Sequence, residues 1–225
     1  MRSRVFLKPP GAIPLCCALT ATVLLTVAAP SFALDRAQVN PFDRPLMFPY
    51  SPGMDTAADL LLVPAMLWPA FLAAAPRSDW LHVTVMYAES TTLAFLLPTA
   101  AKHLVTRDRP YRYFEGAPGE SDSRQSFFSR HTSLAFCGAV FAGTVFTQYF
   151  PDSPWRAGVW AGGLTLAVSV AVFRVAGGNH FTSDVLLGAL SGSLVGFLVP
   201  WVNHRISPRT AAQPVIMPFG FRIAW

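Results

Sequence analysis

Apolar residues dominate five stretches of this chain, and charge is almost absent inside them. They run roughly over Ala57–Ala75, Trp80–Ala101, Thr132–Phe150, Ala157–Phe173 and Phe181–Val202. Each is near the roughly 17–25 residues that carry a helix across a bilayer. None alternates with a period of two, as a barrel strand would, and none shows the charged face of a surface helix. Pro64, Pro69 and Pro98 are tolerated in helices embedded in lipid. The pattern predicts an all-α, integral-membrane helical bundle of five spans. The links between spans are short, except for His103–His131.

A further apolar region, about Ala12–Ala29, lies upstream. It follows Arg2, Arg4 and Lys8 and is followed by Ser31-Phe32-Ala33, small residues where a signal peptidase would cut. Residues 1–33 therefore read as a signal peptide or as an uncleaved membrane helix, a sixth span. Residues 34–56 read as a Pro-rich extracytoplasmic segment and 57–202 as the helical membrane domain. Residues 203–225 form a tail that Pro208, Pro214 and Pro218 keep from spanning. In either reading of the N-terminus Leu34 emerges on the far side of a bacterial-type inner membrane.

Composition agrees with the pattern. Of 225 residues 52% are hydrophobic and 13% charged, and the mean hydropathy is +0.40, too apolar for an ordinary soluble domain. The net charge is +5, but three cations lie in the first eight residues and the rest are scattered. No nucleic-acid partner is expected from that distribution. Cys16, Cys17 and Cys137 supply neither a disulfide framework nor a zinc spacing.

Successive spans alternate in direction. Lys102 ends the second span, His131 opens the third, Arg174 ends the fourth and His180 precedes the fifth, so all four fall on one membrane face. If Leu34 is outside, that face is the periplasm or exterior. Many cations from Arg36 to Arg174 then lie on the side that the positive-inside rule disfavours. Binding an anion gives them a reason.

Three polar clusters meet on that face: KHLVTRDRP (Lys102–Pro110), SFFSRHTS (Ser126–Ser133) and FRVAGGNHFTSD (Phe173–Asp184). A phosphoryl group would use their members. Its transition state spreads negative charge over equatorial oxygens and rewards fixed donors. Lys102, Arg109 and Arg174 supply charge, and arginine's fork matches phosphate oxygens. Ser129 and the N–H groups opening the third span add donors. Asp184 follows His180 by four residues, which on a helix puts both on one face. An imidazole whose other nitrogen is held by a carboxylate can attack phosphorus, and His131 can protonate the leaving oxygen. Water would then hydrolyse the phosphohistidine. The scheme needs no metal and no cofactor.

This set resembles the type 2 phosphatidic acid phosphatase superfamily, in its membrane lipid phosphatase branch. The family's first motif is Lys, six residues, Arg-Pro, and Lys102, Arg109 and Pro110 match it. Its second, Pro-Ser-Gly-His, reads Phe128-Ser129-Arg130-His131 here. Its third is Ser-Arg, five residues, His, three residues, Asp. Arg174, His180 and Asp184 match, with Phe173 in place of the serine. The resemblance implies His180 as nucleophile, Asp184 as its orienter and His131 as general acid. It implies that Lys102, Arg109, Ser129 and Arg174 hold phosphate. Arg130, standing where the family has glycine, would add a charge for an anionic headgroup. The expected partners are the bilayer and a lipid phosphate or diphosphate. Two other readings fit fewer features: a non-catalytic lipid-binding membrane protein, and a vanadate-dependent haloperoxidase-like enzyme.

Other polar positions carry blander expectations. Arg107, Arg112 and Arg124 are expected at the surface or against headgroups, and Asp55 and Asp59 as caps of the first span, with contact to the basic site as their second reading. Glu89, mid-span, is expected neutral or paired inside the bundle. Gly188, Gly192 and Gly196 continue a four-residue stripe from His180 and Asp184. They would admit a neighbouring helix of this chain or, as the second reading, form a homodimer through the last span.

Overall fold

The computed structural model describes residues 33–74 and 80–206. The signal-peptide reading and most of the tail lie outside them. Five helices carry the fold: α1 (Pro52–Leu67), α2 (Trp80–Leu104), α3 (Arg130–Tyr149), α4 (Arg156–Ala176) and α5 (Thr182–Ile206). A 3-10 segment, Trp68–Ala74, prolongs α1. Among the described residues there is no β-strand, only a single backbone bridge between Arg107 and Gln125.

Helix α3 is the hub and packs against each of the other four. Nearly every residue from Thr132 to Phe146 is buried, and many are small: Ser133, Ala135, Gly138, Ala139, Ala142 and Gly143. Lipid tails are as apolar as leucine, so helices in a bilayer associate through close packing and hydrogen bonds, which small residues permit. The glycine stripe of α5 meets α3 in register. A Cβ at Gly188 would stand 2.7 Å from the carbonyl oxygen of Ser129, one at Gly192 would overlap that of Ser133, and one at Gly196 would stand 2.6 Å from that of Cys137. Both helices step by four residues. The stripe thus serves the bundle itself, and the homodimer reading loses the glycines it rested on.

The outward faces are apolar. Leu60, Val63 and Leu67 on α1, Leu93, Leu96 and Leu97 on α2, and Leu186, Leu190 and Leu194 on α5 are exposed, each with another of its set three or four residues away along the helix. Three stretches, Pro52–Leu72, Arg156–Ala176 and Thr182–Arg205, are long and apolar enough to cross a membrane. The chain is an all-helical membrane protein. Helix α3 falls short of that apolarity because it faces protein on all sides and needs Ser, Thr and Gly for packing.

Three expectations are corrected. Helix α1 begins at Pro52, where proline's fixed φ suits a first helical position, and this brings Asp55 into its first turn. Helix α5 runs on to Ile206. Glu89 is exposed on the outer face of α2, because Val83, Met86, Ser90, Ala94 and Pro98 take the inward face.

The Pro-rich segment before α1 is a strap with two 3-10 turns, Arg36–Gln38 and Arg44–Leu46. It lies against the turn after α4. There Gly178 has φ +73°, and a Cβ would stand 2.5 Å from the Phe48 carbonyl oxygen, so both the backbone angle and the approach require glycine. The Ser51 N–H donates to the Gly177 carbonyl (3.2 Å) and the Tyr111 N–H to that of Gly178 (3.0 Å). Strap, long loop and α4–α5 turn are tied together at one end of the bundle.

Candidate active site

At that end five helix termini surround a cavity of about 290 Å³. The start of α1 contributes Asp55 and Asp59, the end of α2 Lys102, the start of α3 Arg130 and His131, and the end of α4 Arg174. His180 comes from the turn before α5, and Arg109, Glu120 and Asp122 from the long α2–α3 loop. The alternation of spans placed Lys102, His131, Arg174 and His180 on one face, and the structure brings them to one cavity.

The long loop is ordered by its own backbone. The Arg107 N–H donates to the Arg124 carbonyl (3.1 Å), the Arg109 N–H to that of Ser123 (2.9 Å), and the Ser126 N–H to that of Arg107 (3.0 Å). The pairing returns the chain from α2 to α3 and sets Ser126 beside His180. Lys102 Nζ donates to the Gln125 carbonyl (2.9 Å). Arg109 donates to Asn179 Oδ1 (2.7 Å) and pairs with Asp122, and Arg174 pairs with Asp55. Asn179 Nδ2 donates to Asp55 (3.0 Å), which links the two arginine systems. The Nε atoms of Arg109 and Arg174 are buried and have no hydrogen-bond partner. Arg130 lines the same cavity and lies over the Phe95 ring at 4.9 Å.

His180 is 1% exposed. Its Nδ1 is 2.8 Å from the Ser126 carbonyl oxygen, an acceptor only, so Nδ1 carries the proton and Nε2 keeps its lone pair. Burial first, then the charges of Arg174, Arg109 and Lys102, push its pKa well below the usual 6.5. The ring is therefore neutral at neutral pH, with the Nε2 lone pair available.

Asp184 does not take the direct position expected of it. Its Oδ2 is 3.9 Å from His180 Nδ1, outside hydrogen-bond range. The reason is that His180 precedes α5, so the four-residue spacing is not a helical turn. Asp184 occupies the third position of α5 and accepts from the Phe181 N–H (3.0 Å), half of a capping box. The same oxygen accepts from Ser126 Oγ (2.6 Å). Asp184 thus acts on His180 at one remove, by fixing the serine whose carbonyl holds the ring. Ser129 is not brought to the cavity surface. It is fully buried, absent from the cavity wall, and caps α3, its Oγ accepting from the Thr132 hydroxyl (3.0 Å).

Several residues at the site were not anticipated from sequence. Arg107, expected at the surface, bridges two fully buried carboxylates, Asp184 and, at 2.6 Å, Asp43 of the strap. Asp43 also accepts from the Ser183 N–H (2.8 Å) and Oγ (2.6 Å) at the start of α5. Burial alone would raise the Asp43 pKa, but its bonds from Ser183, Asn40 and Arg107 outweigh that and hold it below the ordinary value. A carboxylate arriving from 140 residues away leaves no periodic trace in the sequence. Asp55 and Asp59 follow the second of their two expected readings and meet the basic site, Asp55 at Arg174 and Asp59 at His131 Nε2 (3.0 Å). Arg112 and Arg124 pair with Asp108 as surface residues.

Residues 83–208 match the PAP2 superfamily. Over 129 residues the chain is 30% identical to a lipid A 1-phosphatase of Porphyromonas gingivalis, a match that covers 57% of this chain and 25% of that protein. The chain thus spans about a quarter of that relative's length. The crystal structure of a transmembrane PAP2 type phosphatidylglycerolphosphate phosphatase from Bacillus subtilis superposes with a TM-score of 0.55 at 23% identity. It covers 75% of this chain and 86% of that one, and so shares the fold. Aquifex aeolicus LpxE gives a TM-score of 0.45 at 21% identity over 67% of this chain and 87% of its own.

Proposed function

This chain belongs to the PAP2 superfamily, and from that premise we propose that it is a phosphatase of lipid phosphates or diphosphates. It works through a phosphohistidine, at the outer face of the inner membrane, with α1–α5 as five spans. The observation that carries the reading is the pair of buried Nε donors. Arg109 and Arg174 line one cavity with Lys102, His131 and His180, and each carries a buried Nε–H without a partner beside it. A buried donor left unmade costs about 1–3 kcal/mol, and a phosphate oxygen on each would remove that cost.

The headgroup phosphate displaces Asp55 and Asp122 from the two guanidinium forks. His180 Nε2 attacks phosphorus as the P–O bond to the lipid breaks, and His131 gives a proton to the departing oxygen. Water then attacks the phosphohistidine. His131 takes a proton from that water, free phosphate leaves, and His180 is regenerated. The charge that a metal ion would bring to such a transition state comes here from side chains. Asp184, through Ser126, keeps the proton on His180 Nδ1. The lipid A 1-phosphatase and phosphatidylglycerolphosphate phosphatase likenesses support a lipid substrate carrying a phosphomonoester.

The test is phosphate release by detergent-purified protein. The substrates are lipid A, phosphatidylglycerolphosphate, phosphatidic acid and undecaprenyl diphosphate, with chelator present. At least one lipid is turned over, and His180→Ala lowers kcat by at least about 10³-fold. Equal turnover by both proteins would remove the nucleophile, and no turnover of any lipid would remove the proposed function.

A further inference from the structure

Asp59 lies one turn beyond Asp55 on α1, and both carboxylates face the cavity. Their situations differ. Asp55 is engaged by Arg174 and Asn179. Asp59 has its Oδ1 3.0 Å from His131 Nε2 and 3.7 Å from Arg174, and its side chain is 58% exposed. It is too far into α1 to cap the helix, whose N-cap is Ser51. It is not buried, so packing gives it no role. Its one close polar contact is the imidazole.

That imidazole stands among Lys102, Arg109, Arg130 and Arg174 on the same cavity wall. Like charges disfavour a cationic form in such company, yet a general acid must be protonated before it can give a proton away. A carboxylate at hydrogen-bond distance favours the imidazolium. No hydrogen bond occupies Nδ1 of His131 among the described residues, so that side of the ring is left for transfer.

We infer that Asp59 is the positioning residue for His131: it holds the Nε2–H, and by supporting the imidazolium it allows Nδ1–H to protonate the leaving oxygen. The inference rests on the phosphatase reading above. In the step itself the His180 Nε2–P bond forms and the P–O bond to the lipid breaks. The proton on His131 Nδ1 goes to that oxygen. The ring is left neutral, with its remaining N–H still on Asp59. The attacking water of the second step returns a proton to Nδ1.

Leaving-group dependence separates this role from a structural one. A lipid alkoxide needs a proton to depart, whereas p-nitrophenolate departs without one. The full chain and its Asp59→Asn and His131→Ala variants are mixed rapidly with a lipid phosphate or with p-nitrophenyl phosphate, and first-turnover release of the alcohol or of p-nitrophenolate is read apart from the later hydrolysis of the phosphohistidine, which needs His131 with either substrate. Asp59→Asn slows first-turnover release from the lipid by about 10²-fold with the half-saturating concentration changed by less than about 2-fold, and leaves the p-nitrophenolate burst within about 3-fold of wild type. His131→Ala shows the same asymmetry in that first turnover while slowing steady-state turnover of both substrates, and the double variant loses little more than His131→Ala alone. A retained p-nitrophenolate burst also shows that the variants fold. In that first turnover, equal loss on both substrates, no loss on either, or a rise in the half-saturating concentration alone overturns the inference while the phosphatase reading stands. A wild-type protein inactive on both overturns the phosphatase reading and the inference with it.

Discussion

Arg107 shows how a cation outside the cavity sustains the ones inside. Its guanidinium bridges Asp43 and Asp184, donates to Ser183 Oγ (2.8 Å), and lies over the Phe181 ring at 4.2 Å. Both carboxylates are fully buried. Removing the arginine leaves two buried negative charges facing each other, a loss on the order of 3 kcal/mol. Arg107→Ala is expected to lower the thermal midpoint in detergent micelles and to reduce activity through His180, because Asp184 then no longer fixes Ser126. Arg107→Lys keeps the charge but reaches only one carboxylate, and falls between. Unchanged stability in Arg107→Ala would show that the bridge does not hold the strap to α5. None of this was legible in the sequence. Arg107 lies two residues before a motif arginine, and nothing in its spacing distinguishes a clamp from a headgroup contact. The catalytic candidates were legible because their chemistry forces fixed separations: Lys102 to Arg109, and Arg174 to His180. Ser129 and Asp184 were legible as positions but not as roles, since spacing cannot tell a side chain on a ligand from one closing a helix terminus.

At the scale of elements, contact between α3 and α5 sets the distance between His131 and His180. The glycines of α5 face Ser129, Ser133 and Cys137 of α3, the residues that lead directly from the His131 terminus into the core. Gly192→Ala forces the two backbones apart and costs about 1–3 kcal/mol, with loss of activity out of proportion to that cost because both imidazoles move. Gly53 offers the control. A Cβ there meets nothing within 4 Å, so Gly53→Ala leaves stability unchanged or raises it by up to about 1 kcal/mol. Chemical-denaturation midpoints of the two variants, compared in one detergent, check both statements. Equal midpoints would mean that α3 and α5 are not in the contact described. Helix existence and order were readable from apolar runs alone, because a helix in lipid must be apolar on its outer face. The start of α1 was not. Its first turn carries Asp55 for the site, and that polarity resembles a loop.

For the molecule as a whole, the apolar exterior confines the chain to a bilayer, and the polar end gathers five helix termini around one cation-rich cavity. The strap and the long loop close that end with residues far apart in sequence, through Asp43, Arg107 and Gly178. The central claim is that His180 Nε2 becomes covalently bound to phosphorus during turnover. The most direct measurement is rapid acid-free quenching of the purified chain with a ³²P-labelled lipid phosphate, followed by mass spectrometry of the labelled peptide. The account predicts an acid-labile phosphoryl group on His180, formed within one turnover and absent from His180→Ala. Turnover of the lipid with no label on His180, or with the label on another residue, would contradict it.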